Sequence, residues 1–163
     1  MVFIQNIVKD NHIYPYDMGF RLSGTQEHII LEEVCGYNPL KLLTQYSIDK
    51  TFGDQNLNSK INPNFKECAC NITFLAKSSK IGKFIGLEQV QNIEGVIRVV
   101  KNKDIGEEIP QNALGTLNQI VLRVFAKAPT KEKLLTLINE IKSIVKVLDE
   151  SGENILIEDN KID

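Results

Sequence analysis

Near the start of this 163-residue chain an amide, a carboxylate and a guanidinium fall at suggestive spacing: Gln5, Asp17 and Arg21. Asp17 offers a charged oxygen to a cation, and Gln5 a neutral carbonyl oxygen. Arg21 presents a planar fork that matches phosphate or carboxylate oxygens in pairs. With Gly19 and Gly24 between and after them, these groups suit a phosphate and a cation held side by side. Whether they meet depends on the elements that carry them. Two β-type runs, Phe3–Lys9 and Ile13–Met18, flank the turn-forming triplet Asp10-Asn11-His12 and predict a hairpin. With Lys9 facing Ile13, Ile7 falls opposite Pro15 and Gln5 opposite Asp17. Strand periodicity then sets Gln5, Ile7 and Asp17 on one face, and a slip of one residue scatters them. Plainer roles fit the same residues: an exposed strand glutamine, a surface ion pair between Asp17 and Arg21, and core packing for Ile7.

Composition narrows the classes. The chain is 42% hydrophobic and 25% charged, enough apolar material for one or two packed domains. Nineteen basic against twenty-one acidic side chains give a formal charge of −2, which leaves no basic footprint for nucleic acid. No apolar run approaches the roughly 20 residues that span a bilayer, and no signal-peptide pattern opens the chain, so no membrane partner and a cytoplasmic location are expected. The three cysteines, Cys35, Cys68 and Cys70, form no disulfide framework, and no second pair or neighbouring histidine completes a zinc site around Cys68 and Cys70.

The supporting elements follow in order. From Thr25 the pattern turns helical, with Ile29, Ile30, Leu31 and Val34 as the apolar stripe and Gly36 as the stop. A second helix starts with Asn38 as cap and Pro39 at its first position, and Leu40, Leu43 and Tyr46 are its expected buried residues. Residues 50–66, rich in Asn, Asp, Ser, Gly and Pro, are the expected loop and domain boundary. Beyond it, Cys70–Ala76 and Lys80–Gly86 read as a hairpin across Lys77-Ser78-Ser79, Leu87–Ile93 as a short helix and Val96–Lys101 as a strand. Gln119–Ala128 is a strand, 131–145 a helix, and Lys146–Leu148 with Asn154–Ile157 a closing hairpin. The expected class is α+β: an antiparallel sheet with helices over 1–49, the loop 50–66, and a small antiparallel α+β domain over 67–163.

The run Tyr-Asp-Met-Gly-Phe-Arg-Leu-Ser-Gly-Thr-Gln-Glu-His, residues 16–28, resembles the last part of an ATP-grasp domain, in its carbamoyl-phosphate-synthase-like and amino-acid-ligase forms. In that family two strands supply acidic metal ligands twelve positions apart, the second within a run Glu-x-Asn-x-Arg. Gln5 and Asp17 keep the separation of twelve, followed by Gly19 and Arg21. The later Gly82–Glu88 run, Gly106 and the Pro-Thr-Lys-Glu helix start resemble the carboxy-terminal domain of ATP-grasp ligases.

The resemblance implies an ATP-dependent carboxylate–amine ligase that works through an acyl-phosphate. ATP and one or two magnesium ions would be its cofactors. Asp17 and Gln5 would hold the metal, Ile7 would lie beneath adenine, Arg21 would hold the acyl-phosphate or substrate, and Glu27 would approach substrate. It also implies that these residues are the carboxy-terminal portion, incomplete without an amino-terminal ATP-grasp half, with small-molecule carboxylate and amine substrates and possible homo-oligomerisation. Gln5 stands where the family has glutamate, Asp17 is one methylene shorter than glutamate, and Gly19 stands where asparagine is usual. Two other readings therefore stay open: a non-catalytic binding or assembly module derived from this fold, and a purine-biosynthesis type of ATP-grasp ligase.

Overall fold

The computed structural model describes residues 3–19, 21–51 and 65–157, and the chain divides into two compact units, Met1–Pro63 and Asn64–Asp163. Most of the loop expected over 50–66, residues 52–64, lies outside the described residues.

In the first unit, β1 (Phe3–Lys9) and β2 (His12–Gly19) pair antiparallel. Their turn takes two residues, not the expected three. Asp10 and Asn11 both adopt left-handed φ, 51° and 58°, which Asp and Asn tolerate and which gives a tight turn the twist of its strands. His12 therefore joins the strand opposite Lys9, and its Nδ1 donates to the Asp10 carbonyl at 2.8 Å. Ile7 faces Tyr14, where Pro15 was expected. The register then shifts between Gln5 and Asn6: Asn6 faces Pro15, Gln5 faces Asp17, and Tyr16 is the extra residue of a β-bulge. The shorter turn and the bulge cancel, and the expected pairing of Gln5 with Asp17 is restored.

Helix α1 spans His28–Cys35. It begins later than Thr25 because Gln26 holds a left-handed φ of 63°, incompatible with a helix running through it. Gly36, at φ 67°, ends it and donates its N–H to the Glu32 carbonyl at 3.0 Å. Helix α2 (Pro39–Asp49) starts as expected: Asn38 Oδ1 accepts from the N–H groups of Leu40 and Lys41 at 3.0 and 3.1 Å. Asn38 Nδ2 and Lys41 Nζ both reach the Glu32 carboxylate, tying the two helices together. The buried residues of α2 are Pro39 and Leu42, whereas Leu40 and Tyr46 are exposed. Steps of three residues fall about 60° short of a full turn, so the expected stripe winds off the covered face.

The second unit holds two three-stranded antiparallel sheets. Their elements are β3 (Cys68–Leu75), β4 (Ser79–Ile85), α3 (Leu87–Gln91), β5 (Val96–Lys101), β6 (Glu108–Ile109), β7 (Ile120–Ala128), α4 (Lys131–Ile144) and β8 (Lys146–Asp149). One sheet runs β3-β7-β5, the other β6-β4-β8. The expected hairpin of β3 with β4 does not form. Ile72 and Phe74 of β3 instead face Val124 and Leu122 of β7. The intervening segment is held elsewhere, with Lys77 N–H donating to the Ile155 carbonyl at 2.8 Å and Ser78 Oγ to the Ile109 carbonyl at 2.9 Å. The nine residues of β7 are buried except Lys127, because as central strand it is covered on both faces.

Thr130 caps α4 by accepting from Lys133 N–H at 3.3 Å, and Leu134, Leu137 and Ile141 bury against β7 and β3. At the end of β8, Asp149 Oδ1 accepts from Ser151 Oγ at 2.7 Å and from the N–H groups of Ser151 and Glu153 at 2.9 and 3.0 Å. The Ser151 hydroxyl first, then the Glu153 N–H, hold the Asp149 carboxyl below its ordinary range. Gly82 passes so close that a Cβ on it would lie 2.5 Å from the Asp149 carbonyl oxygen, so only glycine fits this crossing. Among the described residues no helix is long and apolar enough to cross a membrane.

Candidate functional site

Directly opposed residues of an antiparallel pair project to the same side. The register therefore brings Gln5 and Asp17 together on one face of the hairpin, with Ile7 two positions along β1 on that face. Both polar side chains are exposed, and among the described residues Asp17 makes no hydrogen bond or ion pair, so the surface ion pair with Arg21 does not form. Gly19 is two residues beyond Asp17 and shares its face. A Cβ built on Gly19 would lie 3.5 Å from Arg21 Cγ and 3.7 Å from Arg21 Nε. The Arg21 side chain thus runs back along the end of β2 on the Asp17 side, its Nη1 donating to the Leu22 carbonyl at 3.2 Å. Those distances are ordinary contacts, so a side chain at position 19 meets no steric bar.

Ile7 is 57% exposed, which rules out the core-packing role in this ribbon. Glu27 occupies the cap position of α1 with no side-chain capping bond, and its Oε2 is buried without a hydrogen-bond partner among the described residues. A buried carboxylate oxygen without a donor is unusual in a folded protein. Ser23 and Thr25 brace the preceding loop, their hydroxyls 2.6 Å apart.

The donor set fits one cation rather than two. Magnesium takes oxygen ligands and keeps several waters, and here one carboxylate and one amide oxygen face each other. Among the described residues no group of three or more His, Cys, Asp or Glu is placed to hold a metal ion. The opposite face of the hairpin is apolar: Ile4 pairs with Met18 and Val8 with Ile13, and all four are exposed. Sequence reasoning did not single out Arg123, a buried charge in the middle of the apolar run of β7.

A two-stranded antiparallel ribbon followed by two helices, then a second α+β unit of antiparallel sheets, defines the class, and it is the fold found in ATP-grasp enzymes. Two solved structures carry the likeness. An L-amino acid ligase from Bacillus licheniformis superposes with a TM-score of 0.72 at 19% identity, over 91% of this chain and 36% of that one. A phosphoribosylglycinamide synthetase from Anaerococcus prevotii gives 0.65 at 17% identity, over 91% and 37%. The chain thus spans little more than a third of the length of these relatives. No protein-family model matches the sequence, and no curated protein matches it.

Proposed function

We propose that this chain is the carboxy-terminal portion of an ATP-dependent carboxylate–amine ligase, and that its hairpin is one wall of the nucleotide site. The observation that carries the proposal is the pairing of Gln5 with Asp17 on the face along which Arg21 returns. The likeness to ligases over nearly the whole chain, but about a third of theirs, agrees with a partial enzyme. So does the hairpin, since a two-stranded ribbon is marginal alone in water and this one exposes apolar side chains on both faces. An amino-terminal ATP-grasp half would cover it.

In this reading Asp17 holds the metal and Gln5 assists through its carbonyl oxygen. Bound there, magnesium would neutralise charge on the transferring phosphoryl group. Arg21 grips the acyl-phosphate or the substrate carboxylate in paired hydrogen bonds. Ile7 offers an apolar surface beneath adenine, and Glu27 directs its unpartnered oxygen to the amine. The site is cytoplasmic, and its substrates are a small carboxylate and an amine.

A second reading has its own support. One charged oxygen on the hairpin face is a thin metal site, and a binding or assembly module that keeps the ribbon without catalysis fits it. ATP with magnesium separates the two. In the ligase, nucleotide raises the melting midpoint of this chain assembled with its amino-terminal half, and Asp17→Ala abolishes the rise. A midpoint indifferent to nucleotide in the unaltered protein supports the module.

A further inference from the structure

A cavity of about 590 Å³ opens in the second unit along α4. Ile93, Ala128 and Leu137 give it apolar lining, and Lys127 and Glu67, 3.1 Å apart, line it as an ion pair. Three further charges line it: Glu94, Lys133 and Glu140. All three are exposed, and among the described residues their side chains make no ion pair or hydrogen bond.

The fold holds these charges apart. Lys133 and Glu140 stand seven residues apart on α4, and Leu137 lies between them on the same face. Helical ion pairs form at three or four residues, whereas seven residues rise about 10.5 Å. Glu94 comes from another element, the turn before β5. Its neighbour Gly95, at φ 91°, lies so close that a Cβ would sit 2.6 Å from the Lys127 carbonyl oxygen and 2.9 Å from Leu137 Cδ2. Lys127 N–H also donates to the Gly95 carbonyl at 2.8 Å. The Glu94 backbone is thereby fixed beside Leu137.

Opposite charges that do not cancel each other give the cavity a direction. Lys133, in the first turn of α4, attracts a carboxylate, and the positive end of the helix dipole acts in the same sense. Glu94 and Glu140 attract an ammonium. Thr136 stands between Lys133 and Glu140, and its Oγ1 donates to the Glu132 carbonyl at 3.1 Å, which leaves the oxygen to accept. A hydrogen bond of about 2.8 Å at each end reduces the 10.5 Å rise to roughly 5 Å between the ligand's charged groups. One residue extends at most about 3.6 Å and two about 7 Å, so an α-amino acid is too short and two linked residues reach. The volume lies within the range of ordinary ligand pockets, roughly 300–1,000 Å³.

We propose that this cavity binds a short zwitterion of dipeptide length, its carboxylate on Lys133 and its ammonium held by Glu94 and Glu140. The site belongs to the second unit alone, so it stands or fails separately from the hairpin reading.

The test is titration calorimetry of the full 163-residue chain with alanyl-alanine, glycine and N-acetyl-alanyl-alanine. Saturable binding is expected for alanyl-alanine. Glycine lacks the length and the acetylated peptide lacks the ammonium, so both should bind at least tenfold more weakly. Lys133→Ala and Glu140→Gln are each expected to weaken alanyl-alanine about tenfold, by removing one hydrogen bond between charged groups. Both positions are exposed, so the variants should keep the urea midpoint of the unaltered chain. Absence of saturable alanyl-alanine binding overturns the proposal. Glycine or the acetylated peptide binding as tightly also overturns it, as does alanyl-alanine binding that either substitution leaves unchanged.

Discussion

In the proposed ligase, this chain assembled with an amino-terminal half, Arg21→Ala is expected to lower substrate-dependent ADP release by about 10²–10³-fold while nucleotide still binds. The size follows from what the guanidinium faces. It lies beside Gly19 at the end of β2, on the side shared by Asp17 and Gln5, where the proposed reaction would develop charge on a phosphoryl group. A donor aimed at that charge contributes to the transition state more than to ground-state binding, so the loss falls on turnover. Arg21→Lys rescues little, because a point charge does not reproduce two parallel hydrogen bonds. Turnover within twofold of the unaltered enzyme, measured by coupled ADP assay, would leave Arg21 a surface residue.

Leu122→Ala destabilises the chain by about 2–5 kcal/mol. Leu122 has no exposed surface, stands opposite Phe74 on β3 and belongs to the core that Ile72, Val124 and Ile141 build. Truncation removes apolar contact and leaves a cavity that neighbouring strands cannot close, since both flanks of β7 are fixed by pairing. Urea unfolding reports it as a lower midpoint with unchanged slope. A loss under 1 kcal/mol would mean that the core around β7 is looser than its burial implies.

Local chemistry made much of this structure legible. Asn38 followed by Pro39 fixed the start of α2, and the run from Thr130 fixed that of α4, because capping involves neighbours in the chain. Strand existence was legible for β5 and β7 from apolar runs bounded by turn residues. Partner choice was not. Nothing local in Cys70–Ala76 distinguishes Lys80–Gly86 from the distant β7 as its neighbour, and the apolar face of β7 decides. The pairing of Gln5 with Asp17 is legible in the sequence although two details of the hairpin are not. The left-handed pair Asp10-Asn11 shortened the turn by one residue, and the bulge at Tyr16 gave it back. Glu27 was reachable through the family motif, but its orphaned oxygen is a property of packing. Arg123 needed the fold, because an arginine in a strand acquires meaning once that strand proves central.

The central claim is that the Gln5–Asp17 face of the hairpin holds a nucleotide-bound cation. The most direct measurement replaces magnesium with paramagnetic manganese in the assembled protein and maps amide broadening with and without ATP. The account predicts ATP-dependent broadening centred on Gln5 and Asp17, and its loss in Asp17→Ala. Amides at those two residues that stay sharp at saturating ATP and manganese would contradict it.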